Sequence, residues 1–178
     1  MHIHFTGYSA DCLITGQLEL TAPRLTDMLN DTPSFQLTNV TLESLSDAHR
    51  IVVPVYTVQR DEVYAVKVTG PRGSKALRIV TVPHRVQAQI GPYNVLGRLN
   101  AAPGAAPIQS METRGVMLPL TDATIAYVVG GILEVRDAST VIINRDLAAW
   151  VKPTAADWNG DPDDMSFMNQ MLEHALRG

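Results

Sequence analysis

The chain repeats itself, and this internal repeat constrains its fold more than any other feature. Short strand-like segments recur in the same order in both parts of the sequence. Three aligned pairs mark the repeat: Gly16 with Gly97, Leu37 with Leu120 and Arg60 with Arg145. The spacing drifts only slightly from pair to pair, in segments that have the composition of loops, where insertions are tolerated. The sequence therefore predicts a duplicated domain.

Each repeat has the pattern of β-strands. Arg85–Ile90 alternates apolar and polar residues, and Leu37–Leu42 does so less regularly, as is typical of strands with one covered face. Ile51–Val58 is β-branched and apolar but contains Pro54. Because proline cannot donate to a strand ladder, this segment is predicted to form an edge strand or to contain a bulge.

Helical spacing occurs in two places. Leu25, Met28 and Leu29 predict a short helix over 24–30. Near the end of the chain, Asp161-Pro162 has the form of an N-cap followed by a first-turn proline. An amphipathic helix is predicted over 162–177, and its apolar face includes Met165, Met168, Met171 and Leu172. A Met-rich face suits an adaptable contact surface, either on this chain or on another one.

These patterns divide the chain into four segments. We predict a first repeat over 1–68, a connecting turn region over 69–78, a second repeat over 79–152, and a linker with the C-terminal helix over 153–178. The expected fold class is mainly β.

The strand motifs resemble a known small barrel. Val141–Val151, with its polar turn at Arg145, is similar to the last two strands of Sm-like proteins, and Leu120–Ala123 and Val95–Leu99 resemble earlier strands of that fold. This resemblance implies two tandem SH3- or Sm-like barrels, followed by the C-terminal helix. The layout, with residues 24–30 and 120–123, also resembles an uncharacterised bacterial domain family, which implies no particular activity.

The turn arginines decide between two interpretations of that resemblance. Sm-like proteins hold RNA bases with an Arg-Gly-Asn turn, whereas here the turns read Gln59-Arg60-Asp61 and Asn144-Arg145-Asp146. The glycine is missing, and an aspartate next to a nucleic-acid site repels phosphate. Turn structure is the favoured role, and nucleic-acid binding is not expected. Arg60, Asn144 and Arg145 remain candidate interaction residues.

Charge is unevenly distributed along the chain. The formal net charge is −4, but residues 60–98 contain an excess of basic side chains, and the segment after residue 152 contains five acids and one arginine. These two segments could attract each other, within one chain or between neighbours, or could simply form a solvated surface.

Signatures of catalysis, metal binding and membrane insertion are missing from the sequence. There is no glycine-rich phosphate loop, Gly-x-Ser-x-Gly elbow or His-Glu-x-x-His motif. His2 and His4 share one face of a strand, but stable metal sites need three or four ligands. The lone Cys12 and the absence of a signal peptide or a long apolar run favour a cytoplasmic protein.

The expected function is therefore a non-enzymatic assembly or adaptor protein that acts through protein–protein contacts or self-association. No cofactor, metal or membrane insertion is expected. The alternatives are a nucleic-acid-binding or regulatory Sm-like module and a small-ligand sensor. The sequence leaves open the partner, the pathway and the oligomeric state.

Overall fold

The structure is a computed structural model that describes residues 1–69 and 79–154. The first repeat contains β1 (His2–Ser9), β2 (Cys12–Glu19), α1 (Leu25–Asp31), β3 (Ser34–Ser44), β4 (Arg50–Gln59), a 3₁₀ turn (Arg60–Glu62) and β5 (Val63–Lys67). The second contains β6 (Val82–Ile90), β7 (Tyr93–Ala101), α2 (Pro107–Glu112), β8 (Met117–Val129), β9 (Ile132–Asn144), a 3₁₀ turn (Arg145–Leu147) and β10 (Ala148–Pro153).

The ten strands form one open antiparallel sheet, so the prediction of a mainly β protein is confirmed. The strand order is β10-β6-β7-β8-β9-β5-β1-β2-β3-β4. The spatial order of the strands is the same in both repeats: the fifth strand lies next to the first, and the second, third and fourth follow. The two repeats are therefore equivalent in both element order and strand order.

A matched kink in each repeat shows how closely the local structures correspond. Asn39 in β3 and Asp122 in β8 both have a left-handed backbone, with φ of 52° and 45°. The register between β2 and β3 shifts at Gly16, and the register between β7 and β8 shifts at Gly97. A Cβ atom at Gly97 would lie 3.0 Å from the Leu120 Cβ atom, which is closer than ordinary van der Waals contact, so this close approach favours glycine.

Each helix connects the second and third strands of its repeat. Leu25, Met28 and Leu29 are buried on α1, as the helical spacing predicts. Pro107 begins α2, where a first-turn proline loses no helical hydrogen bond, and Met111 is its buried residue. None of the helices in the described ranges is long and apolar enough to cross a membrane.

The buried side chains form two main cores, and each core includes residues from both repeats. The core of the first repeat also contains Met117 and Ile142 from the second. The core of the second repeat contains Tyr8, Leu13 and Ala65 from the first. Neither repeat therefore completes its core alone.

Backbone pairing and side-chain amides join the two repeats. β5 pairs with β9, with Val66 opposite Ile142. The Asn30 side chain accepts a hydrogen bond from the Met117 N–H at 2.9 Å and donates to the Met117 carbonyl at 3.1 Å. The Asn144 amide donates to the Arg60 carbonyl at 3.2 Å. The junction is thus a specific interface rather than a loose contact.

The predicted C-terminal helix over 162–177 lies outside the described residues. Its four candidate contact residues, Met165, Met168, Met171 and Leu172, lie outside them as well.

Candidate functional site

The two outer strands of the sheet are the first candidate site. β4 and β10 are its terminal strands, and among the residues that the structure describes neither has a neighbour on its outer side. The edge position of β4 agrees with the prediction from Pro54. Unpaired edge strands present rows of N–H and C=O groups that can pair with another chain.

The β4 edge is unusually apolar for an exposed strand. Ile51, Val52 and Val55 are 53%, 75% and 51% exposed. Scattered apolar residues on a surface need no explanation, but three of them on an edge strand favour pairing with another chain. Pro54 limits that pairing locally, because its nitrogen carries no hydrogen.

The β10 edge borders a small cavity of about 380 Å³. Ile108 and Met111 of α2, Arg145 of the 3₁₀ turn, and Ala148 and Val151 of β10 contribute to its lining. We call this the edge cavity. It lies in the second repeat, between helix, turn and fifth strand.

The predicted interaction residues Arg60 and Arg145 occupy equivalent positions and make equivalent contacts. The Arg60 guanidinium donates to the Asn30 carbonyl in α1 at 2.9 Å, and the Arg145 guanidinium donates to the Met111 carbonyl in α2. Each arginine therefore ties its turn to the helix of its own repeat. Asn144 contributes to the junction instead, and its side-chain oxygen accepts a hydrogen bond from the Asp146 N–H at 3.2 Å.

These contacts lead us to expect no tight binding of single-stranded RNA at physiological salt. Both arginines donate to the protein backbone, aspartate follows each one, and the chain carries a net charge of −4, so few cations are available to release counterions from phosphate. Fluorescence anisotropy with a labelled oligonucleotide tests this expectation. A submicromolar affinity that falls steeply with salt, and is lost in an Arg60→Ala, Arg145→Ala variant, would contradict it.

A larger cavity of about 810 Å³ lies where the hairpin turns of both repeats meet. The β1–β2 and β3–β4 turns contribute Asp11 and Leu45, and the β6–β7 turn and the β8–β9 hairpin contribute Pro92 and Leu133. We call this the turn cavity. No sequence motif predicted it, because its lining comes from turns and strand ends that are distant in sequence.

Backbone hydrogen bonds hold these turns together. The Leu45 N–H donates to the Asp11 carbonyl at 2.8 Å, and the Gly130 N–H donates to the Leu45 carbonyl at 2.8 Å. Gly130 has φ of 55°, and a side chain there would lie 3.2 Å from the Ala48 Cβ atom. The β3–β4 turn is therefore hydrogen-bonded to the β1–β2 turn of its own repeat and to the β8–β9 hairpin of the other repeat.

Aromatic rings support the turn cavity from the core. Tyr127 lines it and is buried, and its ring packs against Tyr8 and Tyr93 with centroid distances of 5.6 and 5.7 Å. The Tyr93 hydroxyl donates to the Ser9 carbonyl at 2.6 Å, which joins the two repeats. Burial raises the pKa of all three phenols, so they remain neutral hydrogen-bonding groups.

Cys12 lines the turn cavity as well. Its sulfur lies 3.1 Å from the Ser9 hydroxyl oxygen. Burial raises the pKa of the Cys12 thiol, and the neighbouring Asp11 carboxylate acts in the same direction against the bond to Ser9. A thiol that keeps its proton is a poor nucleophile, so this environment does not favour catalysis by Cys12.

Within residues 1–69 and 79–154, no cluster of three or more histidine, cysteine, aspartate or glutamate side chains could hold a metal ion. Comparison of the chain with protein-family models, with curated proteins and with solved structures found no match.

Proposed function

We propose that this chain is a non-enzymatic assembly protein whose copies join head to tail through the edges of their sheets. One observation carries the proposal. The two repeats are joined by the fifth strand of the first and the fourth strand of the second, β5 and β9. The remaining fourth strand, β4, and the remaining fifth strand, β10, are the two terminal strands of the sheet. If a second copy pairs with the first in the way that the two repeats pair with each other, β4 of the second copy lies next to β10 of the first.

The internal junction also supplies the register of this contact. Ala65, Val66 and Lys67 lie opposite Ile143, Ile142 and Val141. Their counterparts in the repeat are Trp150, Val151 and Lys152 on β10, and Val58, Thr57 and Tyr56 on β4. The expected intermolecular pairs are therefore Trp150 with Val58, Val151 with Thr57, and Lys152 with Tyr56.

A polar contact of the junction has a counterpart as well. The Asn144 amide donates to the Arg60 carbonyl, which begins the 3₁₀ turn of the first repeat. The equivalent residue on β4 is Gln59, which is exposed and has an amide donor, and the equivalent acceptor is the Arg145 carbonyl. A second copy can therefore reproduce this bond across the intermolecular contact.

We expect the intermolecular contact to differ from the internal one at the edge cavity. Ile142 and Met117 fill the core of the first repeat beside β5. Their counterparts, Thr57 and Ser34, are smaller and more polar, and would meet the edge cavity beside β10. The intermolecular contact should therefore be weaker than the junction, which gives reversible association.

Contacts of this kind join two different surfaces, so they continue from copy to copy. Such a head-to-tail series closes into a ring when the rotations between copies sum to a full turn, and otherwise grows as a filament. We propose that each repeat, 1–68 and 79–152, is a small Sm-like barrel and that the segment after β10 in the sequence, including Met168, adds a further contact.

Substitution of Thr57 tests this function in both directions. Thr57→Ile adds apolar surface opposite Val151 and should strengthen association by about tenfold, because it replaces a hydroxyl by a methylene and adds a methyl group, and burying each such carbon is worth roughly 0.8 kcal/mol. Thr57→Asp puts a carboxylate into the contact and should leave only monomers at micromolar concentration. Sedimentation velocity over a concentration series measures both effects.

Gln17→Asp is the matched control. Gln17 is exposed on β2, which is an interior strand of the sheet, so a new charge there faces solvent away from both edges. We expect the control to associate like the unsubstituted protein. Monomeric behaviour of the unsubstituted protein and of Thr57→Ile at high concentration would contradict the proposal.

A further inference from the structure

We infer that the turn cavity binds a small organic cation that has an apolar body and an ammonium group directed at Asp11. Ile51 at the start of β4 belongs to its lining, but the β4 residues that are expected to pair with β10, namely Tyr56, Thr57 and Val58, do not. Its volume, about 810 Å³, falls in the range of roughly 300–1,000 Å³ that is typical of small-molecule sites, and it lies between two repeats, where such sites are common.

The lining of the turn cavity indicates that the body of the ligand is apolar. Most of the lining surface belongs to aliphatic and aromatic side chains: Leu42, Leu45, Ile51, Tyr127, Val128 and Leu133. An apolar molecule that replaces water there gains about 25 cal/mol for each square ångström that it removes from solvent. The ligand body is therefore a hydrocarbon chain or ring.

Most polar side chains of the turn cavity already have partners. The Gln89 amide donates to the Gly91 carbonyl and accepts from Asn94, and the Ser44 and Ser46 hydroxyls bond to each other at 2.9 Å. These groups keep little capacity for a ligand.

Asp11 differs from them. Its carboxylate accepts a long hydrogen bond, 3.4 Å from the Ser9 hydroxyl, and contacts the Cys12 thiol, but the described residues include no ion pair to it. It is the one carboxylate among the described residues that line the turn cavity, and neither lysine nor arginine lines it.

The two arginines next to the cavity are already paired, and His49 is the remaining basic side chain in its described lining. Arg50 pairs with Glu43 at 2.9 Å, and Arg136 pairs with Glu134 at 2.6 Å while also contacting the Tyr127 hydroxyl. Asp11 is therefore the one carboxylate of the described lining that can attract a cation, and the aromatic ring of Tyr127 belongs to the same lining.

Three probes with the same eight-carbon chain test the inference: octylammonium and octanoate, each below its micellar concentration, and 1-octanol below its solubility limit. Isothermal titration calorimetry should give octylammonium at least a tenfold lower Kd than octanoate. Asp11→Asn should reduce the affinity for octylammonium to that of octanol and leave octanol unchanged. The matched control is Asp31→Asn, because Asp31 is an exposed carboxylate at the end of α1 and lies outside the cavity lining.

Two further measurements locate the binding. Leu45→Trp fills the cavity and should weaken binding of all three probes by at least fivefold. In the unsubstituted protein, bound octylammonium should slow alkylation of Cys12, which keeps the test valid even where Leu45→Trp does not fold. Equal binding of octylammonium and octanoate, the absence of saturable binding, or unchanged Cys12 alkylation would overturn the inference.

Discussion

Cysteines at Thr57 and Val151 are expected to join copies of this protein into disulfide-linked oligomers. The variant is Thr57→Cys, Val151→Cys in a Cys12→Ser background, where serine can retain the contact with Ser9. Opposite residues of an antiparallel pair have Cα atoms about 4.5–5.5 Å apart, which is within the distance that a disulfide spans. Mild oxidation should therefore trap most of the protein in a ladder of dimers and larger species on a non-reducing gel.

The cross-link must form between molecules. Thr57 lies on β4 and Val151 on β10, at opposite edges of the ten-stranded sheet, so the yield should rise with protein concentration. Val55→Cys, Val151→Cys in the same background is the control, because Val55 lies two residues out of the expected register on the same edge strand. Equal cross-linking of both pairs would indicate random collision and would contradict the proposed register.

The second large effect is expected at Ile142, where the repeats share a core. Ile142 is fully buried, and Ile142→Ala should lower the free energy of unfolding by about 2–5 kcal/mol, since it leaves a cavity between the two repeats. Equilibrium denaturation with urea measures the change. Because each core includes residues from both repeats, unfolding should remain a single transition.

Thr57 supplies the internal control for this measurement. It is the counterpart of Ile142 in the repeat but is exposed on the outer strand β4. Thr57→Ala should change the stability of the monomer by less than about 0.5 kcal/mol. A similar loss for both variants, or two separate unfolding transitions for the unsubstituted protein, would show that the junction does not couple the repeats.

Local patterns were sufficient to predict several elements. The spacing of Leu25, Met28 and Leu29 indicated α1, because helical periodicity depends on neighbouring residues alone. Pro54 indicated an edge strand or a bulge for an equally local reason, its missing N–H group, and β4 is an edge strand. The C-terminal helix over 162–177 stays a prediction.

Contacts between distant segments were not predictable in the same way. Arg60 and Arg145 were expected to have structural roles in their turns, and Arg145 does pair with the neighbouring Asp146 at 3.5 Å. Both arginines also donate to backbone carbonyls, those of Asn30 and Met111, which lie 30 and 34 residues away in sequence. Asn30 had no special role in the sequence patterns, yet its side chain joins α1 to β8. The spacing of residues in the sequence does not predict such contacts, because they depend on how helices and strands pack.

The sequence by itself determined the duplication and the strand-rich composition. Alternating strand segments recur in both repeats, and Gly16 and Gly97 both lie where the neighbouring strand comes close. Only the tertiary structure decided that the repeats share one sheet, with β5 against β9, and that β4 and β10 become its edges. It also decided where the turn cavity forms. The physical reason is that strand pairing and cavity shape depend on burial and hydrogen bonding between segments that are distant in sequence. The partner of each residue therefore depends on how all the strands pack.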